Sequence, residues 1–275
     1  MTRLWRTGRW GLLATVLAAA MIGIGWSGTG ARAEEAGQPV RVLFVLGSPP
    51  VHDIVKLPPI LEGVLSQVGG FAVTLLEPPP GKPGDGAHIA RLAELSRRDT
   101  DVVMFYTMGL SLGPEQERAL QAFVEDGGGL VAIHSASGSF GNSAVWTRLI
   151  GGKFAGHAPG LFPLRVEIVD PQHPIMAGVT AFTVTDEEYT HSFPDGVERH
   201  VLARFRERPP NSKDPNGNRD IVWTREVGKG RVFYSALGHD EKCWSNPAWQ
   251  KMMVQAILWS AGRPRAVALT QRRAQ

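Results

Sequence analysis

The sequence predicts an α/β domain built on a mainly parallel sheet. Continuous apolar segments such as Leu130–Ile133 alternate with amphipathic segments that begin at proline and end at glycine, a pattern typical of buried strands connected by helices. Three of the apolar segments are each followed by a histidine, namely His52, His134 and His239. Because open parallel sheets bind ligands at the carboxyl ends of their strands, the sequence predicts a histidine-rich site at that edge.

The first half of the chain supplies the parallel strands. Strands are predicted at Val40–Leu46, Phe71–Leu76, Val102–Tyr106 and Leu130–Ile133. Helices are predicted to begin at Pro59 and at Pro114, where proline suits the first turn, with a short helix near His88–Leu95. Gly69 and the glycines at 127–129 end the two longer helices.

The second half contains more strands and ends in a helix. Strands are predicted at Leu164–Val169, Phe182–Thr185, His200–Phe205, Ile221–Arg225 and Arg231–Ala236. Some of these strands are expected to extend the sheet in antiparallel orientation. A final helix is predicted to begin at Asn246 and to end at Gly262, because its apolar residues recur at spacings of three and four.

The amino terminus has the pattern of a secretory signal peptide. Three arginines precede the apolar segment Gly11–Trp26, and a small-residue cleavage site follows near Ala33. We therefore expect three parts, a signal peptide at 1–33, a single α/β domain at 34–262 and a basic tail at 263–275. The apolar segment is shorter than the roughly 20 residues that a membrane span requires, so a soluble periplasmic or secreted protein is expected.

Charge and cysteine content narrow the function classes. Residues 1–33 contain four of the 29 Lys and Arg and none of the 26 Asp and Glu, so the remainder has 25 basic and 26 acidic residues. This balance argues against nucleic acid as a partner. Cys243 is the sole cysteine, so no intramolecular disulfide can form. The sequence leaves open whether the protein forms a homo-oligomer.

His134 is the sharpest candidate for a catalytic group. A tight turn after a buried strand raises its residue above the sheet, as in a nucleophile elbow, although the Gly-x-Ser-x-Gly motif is absent here. His157 lies in a glycine-rich segment, predicted to be a loop, where the backbone can approach a ligand closely. A divalent metal at His157 and His239, with His52, is one interpretation, and a metal-free polar pocket is the other.

An acidic segment follows another apolar run. Asp186 and Glu187 are followed by Glu188 and Tyr189. A carboxylate there is a candidate general base, metal ligand or acceptor for a sugar hydroxyl. The alternative interpretation is a solvated acidic turn.

Several segments together resemble the ThuA-like family, which is named for trehalose utilisation. The resemblance covers about residues 40–262. The segments that carry it are Leu112–Gln116, Gly127–Ala136, Gly151–His157, Asp186–Tyr189 and Gly228–His239.

The resemblance implies a flavodoxin-like fold of the class I glutamine amidotransferase-like type. His134 stands where amidotransferases of this fold have a cysteine, so glutamine hydrolysis is not expected. The family's association with trehalose implies a small sugar as substrate, and metal-bound members are plausible within it. Near the first strand the chain departs from the family's glycine pair followed by histidines, and reads Gly47-Ser48-Pro49-Pro50-Val51-His52.

The leading hypothesis is an exported enzyme that hydrolyses a glycoside or 3-keto-glycoside or cleaves it by elimination. His134, with Asp186 or Glu187, would transfer protons, and a divalent metal such as zinc would assist. The first alternative is a sugar-binding or interaction module without catalysis. A further alternative is thiol chemistry at Cys243.

Overall fold

The computed structural model describes residues 37–209, 212 and 217–269. The predicted signal peptide lies outside the described residues. The strands are β1 Val40–Gly47, β2 Phe71–Leu76, β3 Val102–Thr107, β4 Gly129–Ile133, β5 Lys153–His157, β6 Phe162–Ile168, β7 Phe182–Asp186, β8 Tyr189–Ser192, β9 His200–Phe205, β10 Asp220–Val227 and β11 Gly230–Ser235.

Helices connect the strands of the first half and close the domain. The α-helices are α1 Pro58–Val68, α2 Pro114–Glu125, α3 Ala144–Ile150, α4 Glu241–Trp244 and α5 Pro247–Ser260. Short 3₁₀ helices lie at Ala87–Glu94, His134–Gly138 and Pro174–Met176. Proline occupies the first turn of α1, α2 and α5, where its missing N–H is not needed.

Nine strands form one sheet in the order β2-β1-β3-β4-β11-β10-β9-β6-β7. The five strands from β2 to β11 are parallel, and each later neighbour is antiparallel. This arrangement confirms the predicted α/β fold with a parallel half and additional strands from the second half. The carboxyl ends of β1, β3, β4 and β11 therefore meet at one edge of the sheet, here called the site edge.

The core explains why the central strands were visible in the sequence. Every residue of β3 and of β4 is buried, as expected for parallel strands covered on both faces. The edge strand β2 alternates between partly buried and exposed residues instead. Trp223, Trp244 and Trp249 are among the largest side chains that are fully buried in this core.

Strand β5 differs from the sequence-based expectation, and β8, α3 and α4 were not predicted. The segment Lys153–His157, expected to be a loop, is strand β5, and it pairs with β8 in a separate two-stranded sheet. Its glycine, Gly156, masks a strand signal, because glycine has low strand propensity. The described part of the predicted basic tail packs on the domain: Val267 is buried, and its N–H donates to Gln255.

Candidate metal and catalytic site

The site begins at a strained turn after β4. His134 has a φ of 49°, a left-handed conformation that is costly for a residue other than glycine. Its carbonyl accepts hydrogen bonds from the Tyr234 hydroxyl at 2.9 Å and from the Ser137 hydroxyl at 3.1 Å. Its Nδ1 donates to the Ala236 carbonyl at 2.6 Å. Since a carbonyl only accepts, this bond places the proton on Nδ1 of the neutral ring and leaves Nε2 free to bind a ligand.

His239 reaches the same place from the end of β11. The preceding residue, Gly238, has a φ of 140°, and a Cβ there would lie 2.8 Å from Cγ2 of Ile133 and 3.2 Å from Cβ of His134. Glycine therefore permits the two segments to pack directly against each other. The ring centroids of His134 and His239 are 5.6 Å apart.

His52 approaches from the loop after β1. Its ring centroid lies 5.1 Å from that of His134 and 5.2 Å from that of His239. Its Nδ1 lies 3.1 Å from the Ser48 hydroxyl, a hydrogen bond that orients the ring. Three histidines that are distant in the sequence thus become neighbours at the site edge, and Ser48 supports the first of them.

Glu187 contributes the carboxylate of the cluster. Its Oε2 lies 3.3 Å from Nε2 of His134 and 3.1 Å from Nδ1 of His239. Its Oε1 lies 3.6 Å from Nε2 of His157. The carboxylate therefore has one oxygen inside the cluster and one toward a fourth histidine.

The donor atoms fit a divalent cation. One ligand atom from each of His52, His134, Glu187 and His239 lies within 4.8 Å of the others. Nε2 of His52 is buried without a hydrogen-bond partner, and Nε2 of His134 and Nδ1 of His239 are buried with Oε2 of Glu187 as their polar neighbour. Buried polar atoms are normally paired, so three buried imidazole nitrogens that have only one carboxylate among them indicate a ligand-binding site. Imidazole nitrogens with one carboxylate suit zinc and similar metals.

The protonation states of His52 and Glu187 are also suited to metal binding. Burial, together with the charges of His134 and His239, lowers the pKa of His52 to about 3, so this ring is neutral near pH 7. Burial opposes ionisation of Glu187, but His134 and His239 outweigh it and lower the pKa of this carboxyl below its usual value. The ionised Glu187 in turn raises the pKa of His239.

His157 lies outside this group of four. Its side chain is 32% exposed, and its Nδ1 donates to the Ala158 carbonyl at 2.9 Å. The Tyr189 ring stacks on His134, with centroids 4.0 Å apart, and also faces His157 at 5.8 Å. Compared with the sequence-based metal set, the structure places His134 among the converging donor atoms and His157 on the solvent side of Glu187.

The acidic segment is not a solvated turn. Asp186 and Glu188 are fully buried, and Glu187 lies between them facing the histidines. Asp186 accepts hydrogen bonds from the backbone N–H groups of Gly238 and His239, and therefore does not face the open side of the cluster. Glu188 forms an ion pair with Arg208.

A buried hydroxyl network beneath the elbow was missed by the sequence reasoning. The Tyr234 hydroxyl, which donates to His134, also lies 2.8 Å from the Ser137 hydroxyl and 2.9 Å from Nε2 of His191. Burial lowers the pKa of His191 to about 3 and so keeps the ring neutral. One signal was available, because Tyr234 places a hydroxyl in the middle of the apolar segment Arg231–Ala236.

Cys243 lacks the setting of a reactive thiol. It is fully buried, and burial together with Asp186 raises the pKa of its thiol well above the usual value. A nucleophilic cysteine requires an accessible thiolate. The structure therefore argues against thiol chemistry at this position.

Fold and site together define an α/β protein with a candidate metal centre of three histidines and one glutamate at the carboxyl edge of its parallel strands. The model of the ThuA family, described as trehalose utilisation, matches residues 48–260. The chain therefore belongs to the ThuA family, as the sequence motifs indicated. No curated protein matches it.

Solved structures agree on the fold. A ThuA-like protein from Parabacteroides merdae superimposes with a TM-score of 0.65 at 22% identity, covering 86% of this chain and 93% of the other. A ThuA-like protein from Bacteroides uniformis gives 0.59 at 16% identity, with coverage of 82% and 92%. A protein from Salmonella typhimurium, described as cytoplasmic, gives 0.52 at 15% identity, with coverage of 80% and 99%. At these identities the likeness establishes the fold alone.

Among the described residues, no helix combines the length and the apolarity needed to cross a bilayer.

Proposed function

We propose that this ThuA-family protein is a metal-assisted enzyme that cleaves a glycoside or a 3-keto-glycoside by hydrolysis or elimination. The observation that carries the proposal is the convergence of buried nitrogens of His52, His134 and His239 on the Glu187 carboxylate, with Nε2 of His52 left without a hydrogen-bond partner. A site that only packs the fold would pair these atoms.

The three histidines and Glu187 would bind the metal. A divalent cation there would supply Lewis acidity toward a carbonyl or hydroxyl oxygen of the substrate. The hydrogen bonds at the outer nitrogens orient His134 through Ala236 and His52 through Ser48. Such bonds fix the direction of the free lone pairs and thereby preorganise the site.

Proton transfer falls to Glu187 and His157. Glu187 Oε1 is the carboxylate oxygen that lies away from the cluster, 3.6 Å from Nε2 of His157. A proton taken from the substrate at Oε1 can pass to that nitrogen, and His157 is partly exposed to solvent. Glu187 is therefore the candidate base, and His157 is the candidate group that exchanges the proton with solvent or with the leaving group.

The substrate class is supported by the family's description as trehalose utilisation. An oxidised sugar suits the site chemically, because a ketone acidifies the neighbouring C–H. A carboxylate base can then remove that proton, and the glycosidic oxygen leaves by β-elimination with the proton supplied by His157.

The test compares wild type with His134→Ala and His200→Ala. The control residue, His200, is 57% exposed and pairs with Asp170 instead of joining the cluster. We expect bound divalent metal and turnover of 3-keto-trehalose or of a related 3-keto-disaccharide in wild type and in His200→Ala. Both should be lost in His134→Ala. Metal content is measured by elemental analysis and product by chromatography.

Two results would reject the proposal. Equal turnover by wild type and His134→Ala would show that the site takes no part in the reaction. Saturable binding of glycosides without any product, by metal-loaded wild type, would support the non-catalytic sugar-binding module instead.

We also propose that the protein is exported, on the basis of the arginines and the apolar segment within residues 1–33. Mass spectrometry of the protein from the native cell envelope should find an amino terminus near residue 34. Full-length protein in the cytosol would contradict this proposal.

A further inference from the structure

Asp186 connects the two chain segments that carry Glu187 and His239. Its Oδ1 accepts the N–H of Glu187 at 2.8 Å and the N–H of His239 at 3.2 Å. Its Oδ2 accepts the N–H of Gly238 at 2.7 Å. One fully buried carboxylate thus receives the backbone N–H groups of two members of the candidate metal cluster, although those members are far apart in the sequence.

Cys243 completes the surroundings of this carboxylate. Cys243 lies in α4, and its thiol is hydrogen-bonded to Asp186. The same region is fixed locally, because the Trp244 indole donates to the Gly238 carbonyl at 2.8 Å. Each of these bonds ends on backbone or on a buried side chain, and none involves the open side of the cluster.

We propose that Asp186 is a positioning residue that sets the separation of Glu187 and His239 and thereby the affinity for the metal. This inference rests on the metal centre of the proposed function. It differs from the proton-transfer role that the sequence suggested for Asp186. A carboxylate that already accepts three N–H groups has little capacity left to act on a substrate, whereas it can fix the backbone of both segments.

Replacement of Asp186 by asparagine should separate these roles. The amide has nearly the same shape, but its NH₂ group cannot accept a hydrogen bond. Either Gly238 or the pair of Glu187 and His239 then loses its acceptor. Changes in the groups that support metal ligands typically weaken metal affinity by about 10- to 100-fold.

The experiment measures Zn²⁺ affinity by competition with a chromophoric chelator, and the visible spectrum of the Co²⁺-loaded protein. Asp186→Asn is compared with wild type and with Asp101→Asn. Asp101, which directly precedes β3, is a matched control, because it is also a buried aspartate, but it bonds to Arg41 of β1. We expect a weaker affinity by about 10- to 100-fold and an altered Co²⁺ spectrum only for Asp186→Asn.

Amide hydrogen exchange of metal-free wild type gives a second readout that needs no variant. The N–H groups of Glu187, Gly238 and His239 should be protected from exchange, although none of these three residues lies within a strand or helix. Rapid exchange at all three would overturn the positioning role even if Asp186→Asn failed to fold.

The outcomes separate this inference from the proposed function. Wild-type affinity and a wild-type Co²⁺ spectrum in Asp186→Asn would overturn the positioning role alone. Failure of wild type to bind Zn²⁺ or Co²⁺ would overturn the metal centre and the inference with it. If the metal results are as expected but no glycoside is turned over, the positioning role stands and the proposed reaction falls.

Discussion

The two ends of the parallel strands treat buried polar groups in opposite ways. At the amino end, Asp101 Oδ2 accepts from the N–H of Arg41 at 2.9 Å and from its Nε at 3.1 Å, and Oδ1 accepts from Nη2 at 2.7 Å. At the site edge, Nε2 of His52 has no hydrogen-bond partner, and Nε2 of His134 and Nδ1 of His239 share the single carboxylate oxygen Oε2 of Glu187.

The difference separates structure from function. A buried carboxylate whose oxygens are all paired stabilises the strands that it connects. Buried nitrogens that share a single carboxylate, one of them on a non-glycine residue with positive φ, carry a cost that the fold itself does not need. Local rules are broken at functional sites, so the site edge is where a ligand is expected.

The largest expected effect is a loss of metal affinity at the site edge. His239→Ala should weaken Zn²⁺ affinity by about 100-fold or more, because one of the converging ligands is lost. The free energy of unfolding of the metal-free protein should change by no more than about 1 kcal/mol, since the partly exposed ring gives up a single polar contact, from its Nδ1 to Glu187 at 3.1 Å. Chelator competition and urea unfolding measure the two quantities.

A large stability loss in the metal-free His239→Ala protein would show that the ring is structural. In that case the contrast between the two ends would disappear.

The next effect concerns the opposite end. Burial opposes ionisation of Asp101, but the hydrogen bonds and charge of Arg41 outweigh it and lower the pKa of this carboxyl below 3.8. The ionised form therefore stabilises the fold above that pH, and the contribution is lost as pH falls through the folded-state pKa. Asp101→Asn should cost about 2 kcal/mol at pH 7 and less in acid.

Urea unfolding of wild type and Asp101→Asn from pH 7 to pH 3 tests this expectation. A difference that stayed constant, or grew as the pH fell, would contradict the assigned sign. Zn²⁺ affinity should be unchanged by the substitution.

The smallest expected effect is a loss of stability at the hydroxyl network beneath His134. Tyr234→Phe removes the hydroxyl that donates to His134 and leaves Ser137 and His191 with fewer partners. We expect a loss of about 1 kcal/mol in the free energy of unfolding. Tyr106→Phe is the matched control, because that hydroxyl lies 3.5 Å from the His239 carbonyl and its hydrogen bond is weak. Equal losses in the two variants would show that the elbow does not depend on Tyr234.

The sequence was most informative where burial is complete. Strands β3 and β4 were predicted because each is an unbroken apolar run, and their burial on both faces requires such a run. Strand β5 was missed because Lys153–His157 contains a glycine and pairs with β8 outside the main sheet. The pairing is a long-range property with no local signal.

Part of the site could be predicted from the sequence for the same reason. A histidine after a buried strand is visible in the sequence, and the site edge follows from parallel strands. The distance between two such histidines depends on strand order and loop path. Sequence reasoning therefore had no means of deciding whether His134 or His157 would join His52 and His239.

The acidic segment shows the limit most directly. Three carboxylates in a row offer the same chemistry, yet Glu187 faces the histidines while Asp186 bonds to the Gly238 backbone. Their different directions arise from the turn between β7 and β8 and from what packs against it.

The sequence by itself determined the fold class, the family and the residue types from which a site could be built, because these depend on local apolar patterns and on motifs. Only the tertiary structure decided which donor atoms share one point and which carboxylate supports the backbone. Those relations join residues up to 187 positions apart along the chain, from His52 to His239, and they exist only once the sheet brings the strand ends together.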